Sequence, residues 1–142
     1  MNTRMILLGL LLSVSTLAVA QSESATHAEI AKTLNYYLEG GTNNEIETLV
    51  KAFHPTATMK YIANGEYKEV NAIEFFRAGM KPGPLSNRKT RIISVKVQGN
   101  AAQAELEIEY DSFYFVDFMN LLKIDGEWKI VSKIFHRKPK SS

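Results

Sequence analysis

Asp117 is the side chain with most capacity for chemistry in this sequence. It stands inside the run Phe115-Val116-Asp117-Phe118-Met119, where an unpaired carboxylate would be costly to bury. Such a group serves either as a general base or ligand acceptor in a cavity, or as the partner of a buried cation. Arg91 is the candidate cation, because it shares strand parity with Ile93, Val95 and Val97. His54, between Phe53 and Pro55, titrates near neutrality and can act as acid or base. It can equally cap the C-terminus of a helix and complement its dipole. Tyr36, Tyr37, Tyr61, Phe76, Tyr110 and Tyr114 offer aromatic surface for a flat ligand, with at least half of them expected to be ordinary core. The expected ligand-binding set is Tyr37, Tyr61, Phe76, Arg91, Tyr110 and Asp117.

Other chemistries find no support. His27, His54 and His136 lack metal-ligand spacing, so no metal is expected. There is no Gly-rich phosphate loop and no Gly-x-Ser-x-Gly elbow, so no cofactor is expected either. The absence of cysteine excludes disulfides, thiolate metal sites, catalytic thiols and a lipid-anchored N-terminal cysteine.

Residues 1–20 read as a secretory leader. Arg4 precedes an apolar run from Met5 to Leu12, and Ala18-Val19-Ala20 offers a small-x-small cleavage site. Ser13, Ser15 and Thr16 interrupt the run, which is short of the ~20 apolar residues a spanning helix needs. Cleavage after Ala20 leaves a domain over 21–138 and a tail over 139–142, expected in the periplasm or outside the cell and free of the membrane. Residues 21–142 together carry 16 basic and 15 acidic residues. Without a basic face or stripe, nucleic acid is not an expected partner. The one basic cluster, His136-Arg137-Lys138-Pro139-Lys140, is expected to be a solvated end.

The elements that must position these residues are marked by caps and periodicity. Thr26 with Glu29 fits a capping box, and Asn44 with Glu47 and Asn71 with Glu74 repeat the pattern with asparagine. Ile30, Leu34, Tyr37 and Leu38 form a helical stripe, which Gly40-Gly41 is expected to stop. A short second helix ends before Pro55, and a third, carrying Ile73, Phe75 and Phe76, ends near Gly79. Asn64-Gly65 predicts a tight hairpin between 56–63 and 66–70. Strands follow over residues 90–97 and 102–110, the second alternating Ala102, Ala104, Leu106, Ile108 and Tyr110 with polar positions. The last two, 115–124 and 127–137, turn at Asp125-Gly126 and are apolar on both faces. A sheet covered on one side only would not show this, so a second subunit or a curled sheet is expected. Helices first and a meander last predict an α+β fold with helices on one face.

The closing segment Leu121-Leu122-Lys123-Ile124-Asp125-Gly126-Glu127-Trp128-Lys129-Ile130-Val131-Ser132-Lys133 resembles the nuclear transport factor 2-like superfamily. Together with Tyr36-Tyr37-Leu38-Glu39-Gly40 and Phe53-His54-Pro55-Thr56-Ala57, it looks like the bacterial putative lumazine-binding (SnoaL-like) group. The likeness spans about His27 to Phe135. It implies a cone: a curved, antiparallel or mixed sheet wrapped around N-terminal helices, hollow at one end and often paired sheet to sheet in a homodimer. Function varies widely across such proteins. The chain is therefore expected to bind a small apolar or aromatic molecule. The alternatives are an isomerase, cyclase or dehydratase using Asp117 or His54 as base, and a homodimeric interaction protein.

Overall fold

The computed structural model describes the backbone of residues 3–141 and the side chains of residues 21–141. The expected leader over residues 1–20 lies outside the described side chains. Helix α1 spans Thr3–Asn43, α2 Ile46–Leu49 and α3 Ala72–Gly79, with a 3₁₀ turn at Val50–Ala52. The strands are β1 Phe53–Ala63, β2 Glu66–Asn71, β3 Lys89–Gln98, β4 Ala101–Glu109, β5 Phe113–Ile124 and β6 Glu127–Pro139. They form one sheet in the order β2-β1-β6-β5-β4-β3. Only the β1–β6 pair is parallel. The architecture is the expected α+β one, with a mixed sheet.

The core lies between α1 and the sheet. Ile30, Leu34, Tyr37 and Leu38 come from one stripe of α1 and meet Ala104, Leu106 and Ile108 of β4, Met119 and Leu121 of β5, and Ile130 of β6. Helical spacing puts the first four on one side of α1, and alternation puts the others on one face of the sheet. Thr33 fixes the register of helix on sheet, its hydroxyl donating to the Trp128 carbonyl at 2.9 Å.

Turn chemistry accounts for the connections. Asn64 and Gly65 both take positive φ (52° and 79°), as do Asp125 and Gly126 (50° and 82°), the geometry of a two-residue hairpin turn. Asn71 caps α3 as expected, its side chain accepting from the Glu74 amide at 3.0 Å.

Three cap expectations fail. Thr26 starts nothing, because α1 is already under way and continues through it. Asn44 is not the cap of α2; it takes φ 57° in the turn, and Glu45 holds the cap position. Gly40 and Gly41 do not stop α1, which runs on to Asn43. Their value is the absence of a side chain. A Cβ on Gly40 would lie 2.4 Å from the Leu49 nitrogen, and one on Gly41 would lie 2.2 Å from an Arg88 guanidinium nitrogen.

Two β-bulges reset side-chain parity. Pairing of β3 with β4 shifts between Ile92 and Ser94, and pairing of β5 with β6 shifts between Asn120 and Leu121. One extra residue on one strand turns every later side chain to the opposite face. In β3 the inward positions become Ile92, Val95 and Val97, while Arg91 and Ile93 face out. In β6 they become Trp128, Ile130, Lys133 and Phe135, and Ile134 faces out. The outer face keeps Phe118, Leu122 and Ile134, exposed by 39%, 42% and 50%.

Candidate functional site

Lys133 and Asp117 meet because of the second bulge. In the β5–β6 ladder Met119 faces Lys133 and Asp117 faces Phe135. Asp117 and Lys133 are therefore diagonal neighbours on the inner face, within reach of each other. The Lys133 ammonium lies 2.5 Å from Asp117 Oδ1, and the two side chains are 4% and 0% exposed. From α1, the Tyr37 hydroxyl donates to Asp117 Oδ2 at 2.7 Å. The ammonium also sits 4.3 Å above the Phe135 ring centre and 5.6 Å from that of Tyr37, the geometry of a cation–π contact.

The buried cation beside Asp117 was expected to be Arg91. It is Lys133. Arg91, on the outer side of β3, bonds Glu107 and keeps most of its side chain in solvent. It takes no part in the cavity.

Burial raises the Tyr37 phenol well above its ordinary value, and the neighbouring Asp117 charge and hydrogen bond push it further. Burial lowers the Lys133 ammonium, against the opposing attraction of Asp117. For Tyr37 the folded state holds its proton more tightly than the unfolded chain does. The stability this confers is complete below pH 10, the ordinary tyrosine value, and is lost as pH rises through the raised one. Lys133 works in the opposite sense, so the comparison must keep its ammonium. Tyr37→Phe, which does so, is expected to unfold with a shallower loss of stability above pH 10 than the parent chain. Ultraviolet titration should show one tyrosine of the parent ionising only as the protein unfolds; ionisation of all tyrosines in the folded state would contradict the geometry.

Above this triad lies a cavity of about 340 Å³. Its wall includes Tyr37, Leu49, Phe75, Phe76, Met80, Ser86, Arg88 and Tyr110. Tyr37, Phe53 and Phe76 pack against one another with ring centres 5.7–5.8 Å apart. Arg88 precedes β3 and reaches back to α1. Its Nε donates to the Thr42 hydroxyl at 2.9 Å, one Nη to the Leu38 carbonyl at 2.8 Å, and the other to the Tyr110 hydroxyl at 3.2 Å. The Tyr110 ring stacks on Phe113 with centres 4.8 Å apart.

Of the expected ligand-binding residues, the fold brings Tyr37, Phe76 and Tyr110 to this wall, with Asp117 directly beneath Tyr37. Tyr61 stacks on Phe135 at 5.0 Å and borders a separate apolar hollow with Phe118 and Ile134. His54 caps no helix. It is the second residue of β1, and its Nδ1 lies 2.9 Å from the Thr56 hydroxyl. Tyr36 lies under Lys51 and Tyr114 under Lys138, each 5.9 Å or less from ring centre to ammonium. His136, Arg137 and Lys138 are exposed, as expected, but belong to β6 rather than to a free end, and Arg137 sits 3.9 Å above the Phe113 ring. Among the described residues no cluster of histidine and carboxylate side chains is arranged to hold a metal ion.

Sequence reasoning missed Lys133 and Arg88. Lys133 shares parity with Phe135, but a plain count along β6 puts both opposite Trp128 and Ile130, and the bulge that returns them to the inner face has no local mark. Arg88 falls in a loop rich in Pro, Ser and Asn, where no periodicity indicates direction.

Solved structures with this fold are numerous. The chain resembles an NTF2-like protein of unknown function from Shewanella baltica OS155, with 29% identity and a TM-score of 0.74, covering 82% of this chain and 97% of the other. A second such protein, from Methylobacillus flagellatus KT, shares 30% identity with a TM-score of 0.71, covering 80% of this chain and 92% of the other. A curated relative, Aldolase FrzH from Cladobotryum sp, is 25% identical over 119 residues, 82% of this chain and 95% of its own length. The family described as Putative lumazine-binding matches residues 25–136. With that match spanning well over half of the sequence, the chain belongs to the putative lumazine-binding family, within the NTF2-like fold.

Proposed function

We propose that this protein is an exported binding domain that holds one small, planar, largely apolar molecule in the cavity above Tyr37. The observation that carries this reading is the cavity itself. About 340 Å³ of space is bordered by Tyr37, Phe75, Phe76, Met80 and Tyr110, with polar groups from Asn44, Lys81, Ser86 and Arg88. Small-molecule sites have this size and make-up. Calorimetric titration with quinoline, 2-naphthol and lumazine tests it. At least one should bind, and Met80→Trp, which fills the space, should abolish the heat. No binding by any of the three, with the filled variant indistinguishable from the parent, would overturn the reading. Export is tested by N-terminal sequencing of protein from the periplasm or medium, which should begin at Gln21.

An enzymatic role is the second reading, favoured by the relative named an aldolase. Asp117 as a free base is poorly supported, because Lys133 neutralises it. His54 is engaged with Thr56 and away from the cavity wall. Cleavage of a β-hydroxy ketone by the purified protein, lost in Lys133→Met, would favour catalysis over simple binding. The apolar outer face of Phe118, Leu122 and Ile134 supports pairing of two copies through their sheets. A strictly monomeric protein in the ultracentrifuge at micromolar concentration would remove that proposal.

A further inference from the structure

We infer that the cavity recognises an anion: the ligand is a small planar carboxylate, or carries an equivalent anionic oxygen, and Arg88 with Tyr110 grips that end. The inference rests on the binding reading above and adds the charge and the anchoring residues.

It starts from an unbalanced charge. Arg88 forms no ion pair with any carboxylate among the described residues. Of three acidic groups on this side of the fold, two are paired with other cations and the third, Asp111, is exposed. Glu109 pairs with Lys140 at 2.7 Å, Asp111 accepts from Asn87 at 3.3 Å, and Asp117 belongs to Lys133 at 2.5 Å. The half-buried Arg88 and the buried Lys133 thus stand on the same side of the fold as one buried carboxylate, Asp117. The Arg88 charge reaches both partners of Asp117, opposing protonation of Lys133 and favouring ionisation of Tyr37. The Thr42 hydroxyl, the Leu38 carbonyl and the Tyr110 hydroxyl position the guanidinium but leave its charge uncompensated. An anion drawn from solvent would supply the missing balance.

Geometry provides the donors. A guanidinium has five N–H groups, and the three bonds above use three of them, leaving one on each terminal nitrogen. Tyr110 accepts from Arg88, so its own O–H proton remains to donate to a ligand. Its ring is held by the stack on Phe113. Ser86 adds a hydroxyl and Lys81 a further positive charge to the same wall, while Phe76 and Tyr37 offer the apolar faces against which a flat ring would pack. Charge-assisted bonds of this kind are about twice as strong as neutral ones. An anionic head on a planar body therefore fits the site better than a neutral molecule of the same shape.

The test uses 2-naphthoate, 2-naphthamide and naphthalene as matched probes, titrated calorimetrically into the protein at neutral pH. The carboxylate is expected to bind about tenfold to hundredfold more tightly than the amide, the effect of one charged hydrogen bond. That preference should shrink in high salt and disappear in Arg88→Gln, while Arg88→Lys should retain part of it. The comparison of probes on the parent protein needs no variant, so it stands even if Arg88→Gln fails to fold. Equal affinity for carboxylate and amide would overturn the anion inference and leave the binding reading intact. No binding by any of the three probes would overturn both.

Discussion

Replacing Asp117 by alanine is expected to cost about 3–5 kcal/mol of folding stability, the range for breaking one side of a buried ion pair. Both partners are almost wholly buried, so water does little to rescue the ammonium left behind. The Tyr37 hydroxyl loses its acceptor at the same time, and the Arg88 charge adds repulsion that Asp117 had offset. Asp117→Asn keeps the shape but strands the same charge, and should be nearly as damaging. The double variant Asp117→Leu with Lys133→Met removes both charges in similar volume and should recover most of the loss, because apolar replacement of a buried pair is often neutral or better. The pH dependence has a definite sign. Without Asp117, burial first and the Arg88 charge second hold the folded value of Lys133 below the usual 10.5. The unfolded chain then binds more protons than the folded one, so stability rises with pH up to about 10.5. Urea unfolding at pH 7 and pH 10 checks both points. A loss below about 1 kcal/mol at pH 7, the size of an exposed pair, would mean that the ion pair is solvated.

The cost of burying Asp117 was legible in the sequence; the identity of its partner was not. A carboxylate between valine and phenylalanine in a core strand is costly to bury unpaired, so the residues pointed either to a cation partner or to a role in a cavity. Naming the cation required knowing that β3 and β6 each contain a bulge, and nothing about Ile93 or Val131 marks them as extra residues. Both are ordinary strand formers. Parity counted through Ile93 put Arg91 inside, and the same plain count through Val131 sets Ile134 on the face of Trp128 and Lys133 on the other. The structure reverses both. Features set by local chemistry were readable: the turns at Asn64-Gly65 and Asp125-Gly126, the Asn71 cap and the strict alternation of β4. Features set by contacts distant in sequence were misread. Thr26 and Glu29 form a cap pattern in the middle of α1, where the helix continues and no free amide awaits it. Arg88 contributes to the cavity through Leu38 and Thr42, some fifty residues earlier, a distance at which pattern carries no information.

Gly40→Ala should be the most damaging substitution of a glycine in the fold, although the usual rule for a helix favours alanine by ~1 kcal/mol. The added Cβ would sit 2.4 Å from the Leu49 nitrogen, 2.7 Å from its Cα and 2.9 Å from its Cβ. Two of these atoms are backbone, so no side-chain rotation relieves the clash; α2 must move away from α1. Overpacking of this kind costs about 1–3 kcal/mol and occasionally more, enough to outweigh the helix gain. The displacement also reaches function, since Leu49 borders the cavity that Arg88 lines and its shift would reshape that wall. Gly41→Ala should behave differently. Its new methyl meets the Arg88 guanidinium at 2.2 Å, a flexible group that can withdraw, so stability should fall less while affinity for 2-naphthoate falls more. Gly79→Ala serves as the control: nothing lies within 4 Å of the added carbon, and helix propensity should leave it unchanged or stabilised by up to ~1 kcal/mol. Urea midpoints for the three variants, with naphthoate titrations beside them, separate the effects. If Gly40→Ala proves as stable as Gly79→Ala, α1 and α2 are not in the close contact that shapes this end of the cavity.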